Sequence, residues 1–163
     1  MPISAVNSLN NPGRPGHPTT AGTIAHELFH GVQTESKQIK GPDWLTEAAA
    51  NYMSHTITGN YQGGFDPISS IGKLSDVQDP TKLNKYSQGS AFLGYLDNKY
   101  PGMLPDLFQQ DFRTGSNAPF QTVYGQDLQQ LWNGFSKAVS NGQFTPETNT
   151  LLPFPPPNYI PPA

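Results

Sequence analysis

The stretch that decides the fold is residues 19–36, which read TTAGTIAHELFHGVQTES. Apolar side chains recur in it at intervals of three and four residues, the spacing of a helix with one buried face. They are Ile24, Leu28 and Val32, with Ala25 and Phe29 beside them. Because Thr19 or Thr20 can cap a helix, we predict that one begins there, buries this apolar face and ends between residues 33 and 36.

Two histidines lie inside this predicted helix, in the pattern His-Glu-x-x-His formed by His26, Glu27 and His30. Residues four apart share one helix face, so both imidazoles can bind a single metal ion. Glu27 then lies beside the ion without binding it, where its carboxylate can take a proton from a metal-activated water. The alternative is an amphipathic helix that shows two polar histidines by chance.

The chain contains no cysteine, so any metal must be held by His, Asp or Glu. A catalytic zinc ion usually has three protein ligands and a water, and Glu47 is the candidate for the third. His55 is the rival, but it lies about 12 Å farther along a helix, so the two cannot share one ion. Glu47 is favoured because it lies nearer the turn that joins the two helices. His55 is then an ordinary polar residue, and His17, among prolines, is a solvated loop residue.

Glu47 belongs to a second predicted helix, from Trp44 to about Thr58. This helix follows the turn Gly41-Pro42-Asp43, with Asp43 as its N-cap, and Gly59-Asn60 closes it. Three alanines after Glu47 give the helix a smooth face that can pack close to its neighbour. The carboxylate can therefore reach across to the two histidines.

The rest of the chain is predicted to be a loop at residues 59–82, with a helical turn near residues 68–71, followed by three more helices. These helices are expected at residues 84–100, 105–113 and 126–139. Their buried side chains are expected to include Ala91, Phe92, Tyr95, Leu96, Leu128, Leu131, Trp132, Phe135 and Val139. No alternating pattern supports a strand longer than about five residues, so the fold class is mainly α.

The composition indicates one domain with proline-rich ends. The chain has 163 residues, including 16 glycines and 17 prolines, and this length suits a single core. Residues 1–19 are predicted to be an extended lead-in, residues 20–144 the helical domain, and residues 145–163 a tail of polyproline II type. Within the tail, Pro156-Pro157-Asn158-Tyr159 fits the ligand pattern of WW domains, although a plain extended tail is favoured.

Charge and hydropathy argue against two classes of partner. Charged residues make up 13% of the chain and the net charge is −3, so we expect no basic surface for nucleic acid. No apolar run reaches the length of about 18 residues that a membrane span requires. The first residues have neither a basic leader nor an apolar stretch, so we recognise no signal peptide in them.

Three segments, in order, resemble the basic secretory protein family of gluzincin metallopeptidases. Residues 26–33 match its His-Glu-x-x-His-x-x-Gln, and residues 44–52 are similar to its Leu-x-Glu-Gly-x-Ala-Asp-Tyr. Residues 127–132 are similar to a late helix that ends in Leu-Trp. The resemblance spans about residues 20–140. It implies a helical gluzincin core that binds one Zn²⁺ through His26, His30 and Glu47, and it implies a secreted protein.

The resemblance also implies roles for Tyr86 and Asn51. Residues 86–89 resemble the Tyr-x-x-Gly helix start of gluzincin aminopeptidases, whose tyrosine donates a hydrogen bond to the oxyanion. The alternative is that Tyr86 only packs its ring on the core. Asn51 stands where the family usually has an aspartate that accepts a hydrogen bond from a zinc-bound imidazole. We expect Asn51 to accept the same bond without the charge. The alternative is that Asn51 faces solvent or packs elsewhere.

The chain also departs from the family. It is acidic rather than basic. A short proline-rich stretch precedes the metal helix, so the N-terminal sheet of gluzincins is expected to be abridged or missing. The Gly-x-Met-x-Asn motif that captures a free amine is absent, which favours an endopeptidase over an aminopeptidase.

We therefore expect a monomeric zinc metallopeptidase that cleaves a protein or peptide substrate. Glu27 would be the general base and Tyr86 the oxyanion stabiliser. The competing class is a protein without catalysis, either a degenerate peptidase that still binds zinc or a protein-binding module.

Overall fold

The computed structural model of the chain describes residues 20–35, 41–59, 71–112 and 117–152. Within these residues the fold is mainly helical, as predicted, with one sheet of two short strands. The helices are α1 (Thr20–Glu35), α2 (Asp43–Thr58), α3 (Leu74–Gln78), α4 (Ser90–Lys99), α5 (Leu104–Phe108), α6 (Ala118–Tyr124) and α7 (Leu128–Ser140), and a π-helical turn (Lys85–Gly89) directly precedes α4. The strands are β1 (Phe144–Thr145) and β2 (Thr150–Leu151), paired antiparallel. The predicted lead-in, residues 1–19, lies outside the described residues.

The core is built around α4, in which residues 90–96 are all buried. The ring centroid of Phe92 lies 5.1 Å from that of Trp132 and 5.7 Å from that of Phe135, both on α7. Aromatic rings at such distances bury large apolar areas and favour tilted contacts. The side chains predicted to be buried in α4 and α7 are buried, except that Val139 is only partly covered.

The buried face of α1 differs from the prediction. Ile24, Leu28 and Val32 are 54%, 66% and 56% exposed. The buried residues of α1 include Ala25, His26 and Gln33. Residues two apart on a helix point about 200° apart, so Ile24 and Leu28 must face away once the histidines face α2. The prediction was wrong because it used apolar spacing alone and ignored the polar side chains that bond α1 to its neighbour.

Two short helices were not predicted. Leu74 and Val77 are buried one turn apart and form α3 inside the predicted loop. Pro119 begins α6, whose Phe120 is fully buried, and Gly125 ends it in the left-handed conformation with a φ of 69°. Both helices are too short to show a clear period in the sequence.

Other helix boundaries in the structure also differ from the predicted ones. The fourth helix, predicted to reach residue 113, ends as α5 at Phe108. The π-helical turn occupies the start of the helix predicted at residues 84–100. Of the turn predicted near residues 68–71, only Ile71 is described, and it is not helical.

The first residues of the predicted extended tail are not extended in the way that was expected. Residues 144–151 form the β1–β2 hairpin instead, and Phe144 anchors it with its ring centroid 5.7 Å from that of Tyr95. The hairpin packs on α4 at Gly94, where a Cβ atom would collide with the side chain of Asn149. Residues 153–163, with the pattern that fits WW domains, lie outside the described residues.

Candidate metal centre

The structure brings His26, His30 and Glu47 together. The Nε2 atoms of the two histidines are 3.0 Å apart. Oε2 of Glu47 lies 3.2 Å from Nε2 of His26 and 3.3 Å from Nε2 of His30. Among the described residues, this is the one group of three or more His, Asp or Glu side chains that converges closely enough to hold a metal ion.

The antiparallel packing of α1 and α2 creates this arrangement. The hydroxyl of Ser54 donates a hydrogen bond of 2.7 Å to the carbonyl of Gly22, which ties the start of α1 to the end of α2. At the opposite end, Nε2 of Gln33 donates to the carbonyl of Thr46 at 3.4 Å. Residues 48–50 are alanines with no exposed surface, so α2 can pack closely on its neighbours. The third donor therefore faces the two histidines.

The spacing of the three donor atoms fits a metal ion. Around a tetrahedral zinc ion with bonds of about 2.0–2.1 Å, neighbouring donor atoms lie about 3.3–3.4 Å apart. The three separations seen here, 3.0, 3.2 and 3.3 Å, are close to that length. The three side chains could bind one ion with only small movements.

Burial favours the neutral form of the His26 imidazole. The residue is 2% exposed. Burial is the main cause that lowers the pKa of its imidazole, and His30 adds to the effect, while Glu47 and Glu27 oppose it. Because a metal binds the neutral imidazole, a lowered pKa favours binding. The side chains of His30 and Glu47 remain 25% and 21% exposed, so the site is open to solvent on their side.

The outer nitrogens of the two histidines have different surroundings. Nδ1 of His30 lies 2.8 Å from Oε1 of Gln33. Nδ1 of His26 is buried and has no hydrogen-bond partner within the described part of the chain. Sequence reasoning gave Gln33 no role of its own, although a residue three positions after His30 shares its helix face.

Asn51 does not take the place that the resemblance implied. Its amide nitrogen donates to the backbone carbonyl of Tyr86 and lies 3.4 Å from Oγ of Ser90. The Nδ1 atom of neither histidine bonds to Asn51. Nδ1 of His30 faces Gln33, and Nδ1 of His26 has no hydrogen-bond partner within the described residues. The expectation that Asn51 holds an imidazole was therefore wrong. Asn51 ties α2 to the π-helical turn instead.

Tyr86 lies at the edge of the cluster, on the π-helical turn. Its ring centroid is 6.2 Å from that of His26. Burial and then the Glu47 carboxylate raise the pKa of Tyr86, while the ammonium of Lys85 opposes them. The phenol therefore keeps its proton at neutral pH and can donate a hydrogen bond.

An ion pair gives a second link between α2 and the π-helical turn. Asp43 was predicted to be an N-cap, but it is the first residue of α2, and no side chain caps the helix. Its carboxylate pairs with the ammonium of Lys85, a residue that is 8% exposed. Asp43 lies one turn before Glu47, and Lys85 directly precedes Tyr86. No sequence pattern predicts this pair, because 42 positions separate its members.

The other candidate residues lie outside the group of donor atoms. Glu27 is exposed, and its charge reaches His26, where it acts to raise the pKa. His55 lies two turns beyond Glu47 on α2, where burial lowers its pKa. His17 lies outside the described residues.

Comparisons with protein-family models, curated proteins and solved structures found no match. In the part of the chain that the structure describes, no helix is both long and apolar enough to cross a membrane. The function of the site must therefore be inferred from its own geometry.

Proposed function

We propose that the protein is a zinc-dependent peptidase of gluzincin type, in which His26, His30 and Glu47 hold the metal. The observation that carries the proposal is the convergence of two imidazole nitrogens and one carboxylate oxygen within 3.3 Å of one another. Two histidines and a glutamate are a known donor set for catalytic zinc, and three protein ligands leave one position free for water or substrate.

Glu27 is proposed as the general base. When bound, zinc would supply a Lewis acid and lower the pKa of water. The Glu27 carboxylate would take the proton of the attacking water and pass it to the nitrogen of the leaving amine. Its exposure and its place next to His26 support this role, because the carboxylate lies near the metal ligands without joining them.

Tyr86 is proposed to stabilise the oxyanion. The carbonyl oxygen of the scissile amide becomes negative as water attacks, and a phenol held nearby can donate a hydrogen bond to it. The position of Tyr86 supports this role, because its ring centroid lies 6.2 Å from that of His26 and a phenol keeps its proton at neutral pH. The hydrogen bond from Asn51 to the Tyr86 carbonyl fixes the backbone that carries the ring.

The proposed substrate is a peptide bond within a protein or peptide chain. The open side of the site, at His30 and Glu47, gives an extended chain access to the donors. The absence of the free-amine motif from the sequence favours an endopeptidase.

The test is the Glu27→Gln variant, assayed on casein and on quenched fluorescent peptides beside a measurement of bound zinc. We expect the variant to keep its zinc and to lose about 100-fold or more of the hydrolysis rate. Glu147→Gln is the matched control, because it makes the same change on the β1–β2 turn, and it should keep both properties. Hydrolysis by Glu27→Gln at the wild-type rate would rule out this mechanism.

The same measurements decide between the proposal and its competitor. Zinc binding by the wild type without hydrolysis of any peptide would indicate a degenerate peptidase that kept its metal. A wild-type protein that binds no zinc would contradict both zinc-based functions.

A further inference from the structure

Gln33 is a buried polar residue that the proposed mechanism does not use. It lies between α1 and α2 and is 6% exposed. Its Oε1 atom is 2.8 Å from Nδ1 of His30, and its Nε2 atom is 3.4 Å from the carbonyl oxygen of Thr46. Both ends of the amide therefore meet protein groups.

The Thr46 carbonyl determines the orientation of the Gln33 amide. A carbonyl oxygen can only accept a hydrogen bond, so the amide NH₂ group must face it and the amide oxygen must face His30. The amide oxygen is also only an acceptor, so Nδ1 of His30 must carry a proton. In a neutral imidazole the other nitrogen then has a lone pair. That nitrogen, Nε2, is the one that faces His26 and Glu47.

His26 has no comparable partner. Within the described residues nothing bonds to its Nδ1 atom, while its Nε2 atom lies 3.0 Å from Nε2 of His30 and 3.2 Å from Oε2 of Glu47. Both of those neighbours present lone pairs. With Glu47 ionised and no metal bound, the hydrogen that can join the three groups is one on Nε2 of His26. A metal ion would need the lone pair at that position.

We infer that Gln33 is a positioning residue that fixes the tautomer of His30 for metal binding, and that the two histidines have opposite tautomers in the metal-free protein. The inference rests on the proposed metal site but not on hydrolysis. According to this inference, the two histidines differ in whether Nε2 has a free lone pair before a metal binds. His30 is ready to bind, whereas His26 must move its proton from Nε2 to Nδ1 before it can do so.

The test begins with long-range ¹H–¹⁵N NMR spectra of the metal-free protein, which distinguish the two tautomers. We expect His30 to carry its proton on Nδ1 and His26 on Nε2. The Gln33→Leu variant removes the acceptor, so His30 should populate both tautomers, and zinc affinity should fall about 10–100-fold in a chelator competition. Gln33→Glu keeps an acceptor beside Nδ1 and should restore the His30 tautomer, although its second oxygen then faces the Thr46 carbonyl and should lower the stability of the protein.

Gln109→Leu is the matched control, because Gln109 is an exposed glutamine at the end of α5 that lines the same surface cavity as Gln33. It should change neither the tautomers nor the zinc affinity. A wild-type His30 with its proton on Nε2 would overturn the inference, as would a Gln33→Leu variant with unchanged tautomer and affinity. If Gln33→Leu fails to fold, the wild-type spectrum still decides, because the inference requires the His30 proton on Nδ1 and the His26 proton on Nε2. The tautomers are measured without zinc or substrate, so an absence of hydrolysis would contradict only the proposed function.

Discussion

The helix that carries the histidines and the helix that forms the core are packed in opposite ways. Helix α4 is buried along residues 90–96 and contacts α2, α7, the π-helical turn and β2. Helix α1 packs mainly on α2 and leaves Ile24, Leu28 and Val32 exposed. The candidate chemistry therefore lies at the edge of the fold, and the apolar core lies elsewhere.

This difference indicates what holds α1 in place. Beyond a few apolar contacts, α1 is tied to α2 by the Ser54–Gly22 and Gln33–Thr46 hydrogen bonds and by the three candidate ligands. A helix with little buried apolar surface opens more easily than one in the core. A metal bound by both helices would stabilise the docked state of α1, because the ligands come together only there.

The largest expected effect is the loss of a core ring. Phe135→Ala removes a fully buried side chain that packs on Phe92 and Trp132, and it should lower the free energy of unfolding by about 3–5 kcal/mol. Leu28→Ala removes an exposed side chain and should change the free energy of unfolding by no more than about 0.5 kcal/mol. Urea denaturation of both variants gives the comparison. Similar losses in the two variants would mean that the α1 face is covered in solution.

If zinc binds as proposed, its removal should affect α1 far more than α4. With zinc at about 100 times its dissociation constant, binding contributes about 2.7 kcal/mol to the docked state. Amide hydrogen exchange in α1 should therefore accelerate by about 100-fold on chelation, while exchange in α4 should stay nearly unchanged. Equal changes in the two helices would show that α1 does not open separately from the core.

A smaller effect is expected from Asn51→Asp, which tests the link between α2 and the π-helical turn. The carboxylate would replace the amide that donates to the Tyr86 carbonyl and would leave two oxygens facing each other. We expect a loss of about 1–3 kcal/mol in stability and no gain in zinc affinity. Asn133→Asp, at an exposed position of α7, is the control and should be nearly neutral. Tighter zinc binding by Asn51→Asp would return Asn51 to the role that the resemblance implied.

Local sequence patterns predicted the features that depend on one helix or on a short connection between two helices. The spacing of His26 and His30 put both on one face of α1, and the apolar period of residues 128–135 predicted the buried face of α7. Glu47 was found because it follows the turn between two predicted helices. Each of these features needs only the geometry of a helix and a short connection.

The features that the sequence did not predict depend on contacts between distant segments. The Asp43–Lys85 pair and the Asn51–Tyr86 bond join positions that have no fixed spacing, so no period indicates them. The exposure of Leu28 followed from a competition within α1, in which the polar bonds to α2 decided the orientation of the helix. Apolar spacing alone could not show which face of α1 would be buried against α2.

The most direct test of the account is the zinc content of the purified protein after dialysis, measured for the wild type and two variants. We expect one zinc per chain in the wild type and in His55→Gln, since His55 lies outside the cluster. Glu47→Gln, which removes the charged ligand, should retain far less. A wild type without zinc, or a Glu47→Gln variant that keeps its full content, would contradict the claim that His26, His30 and Glu47 form a zinc site.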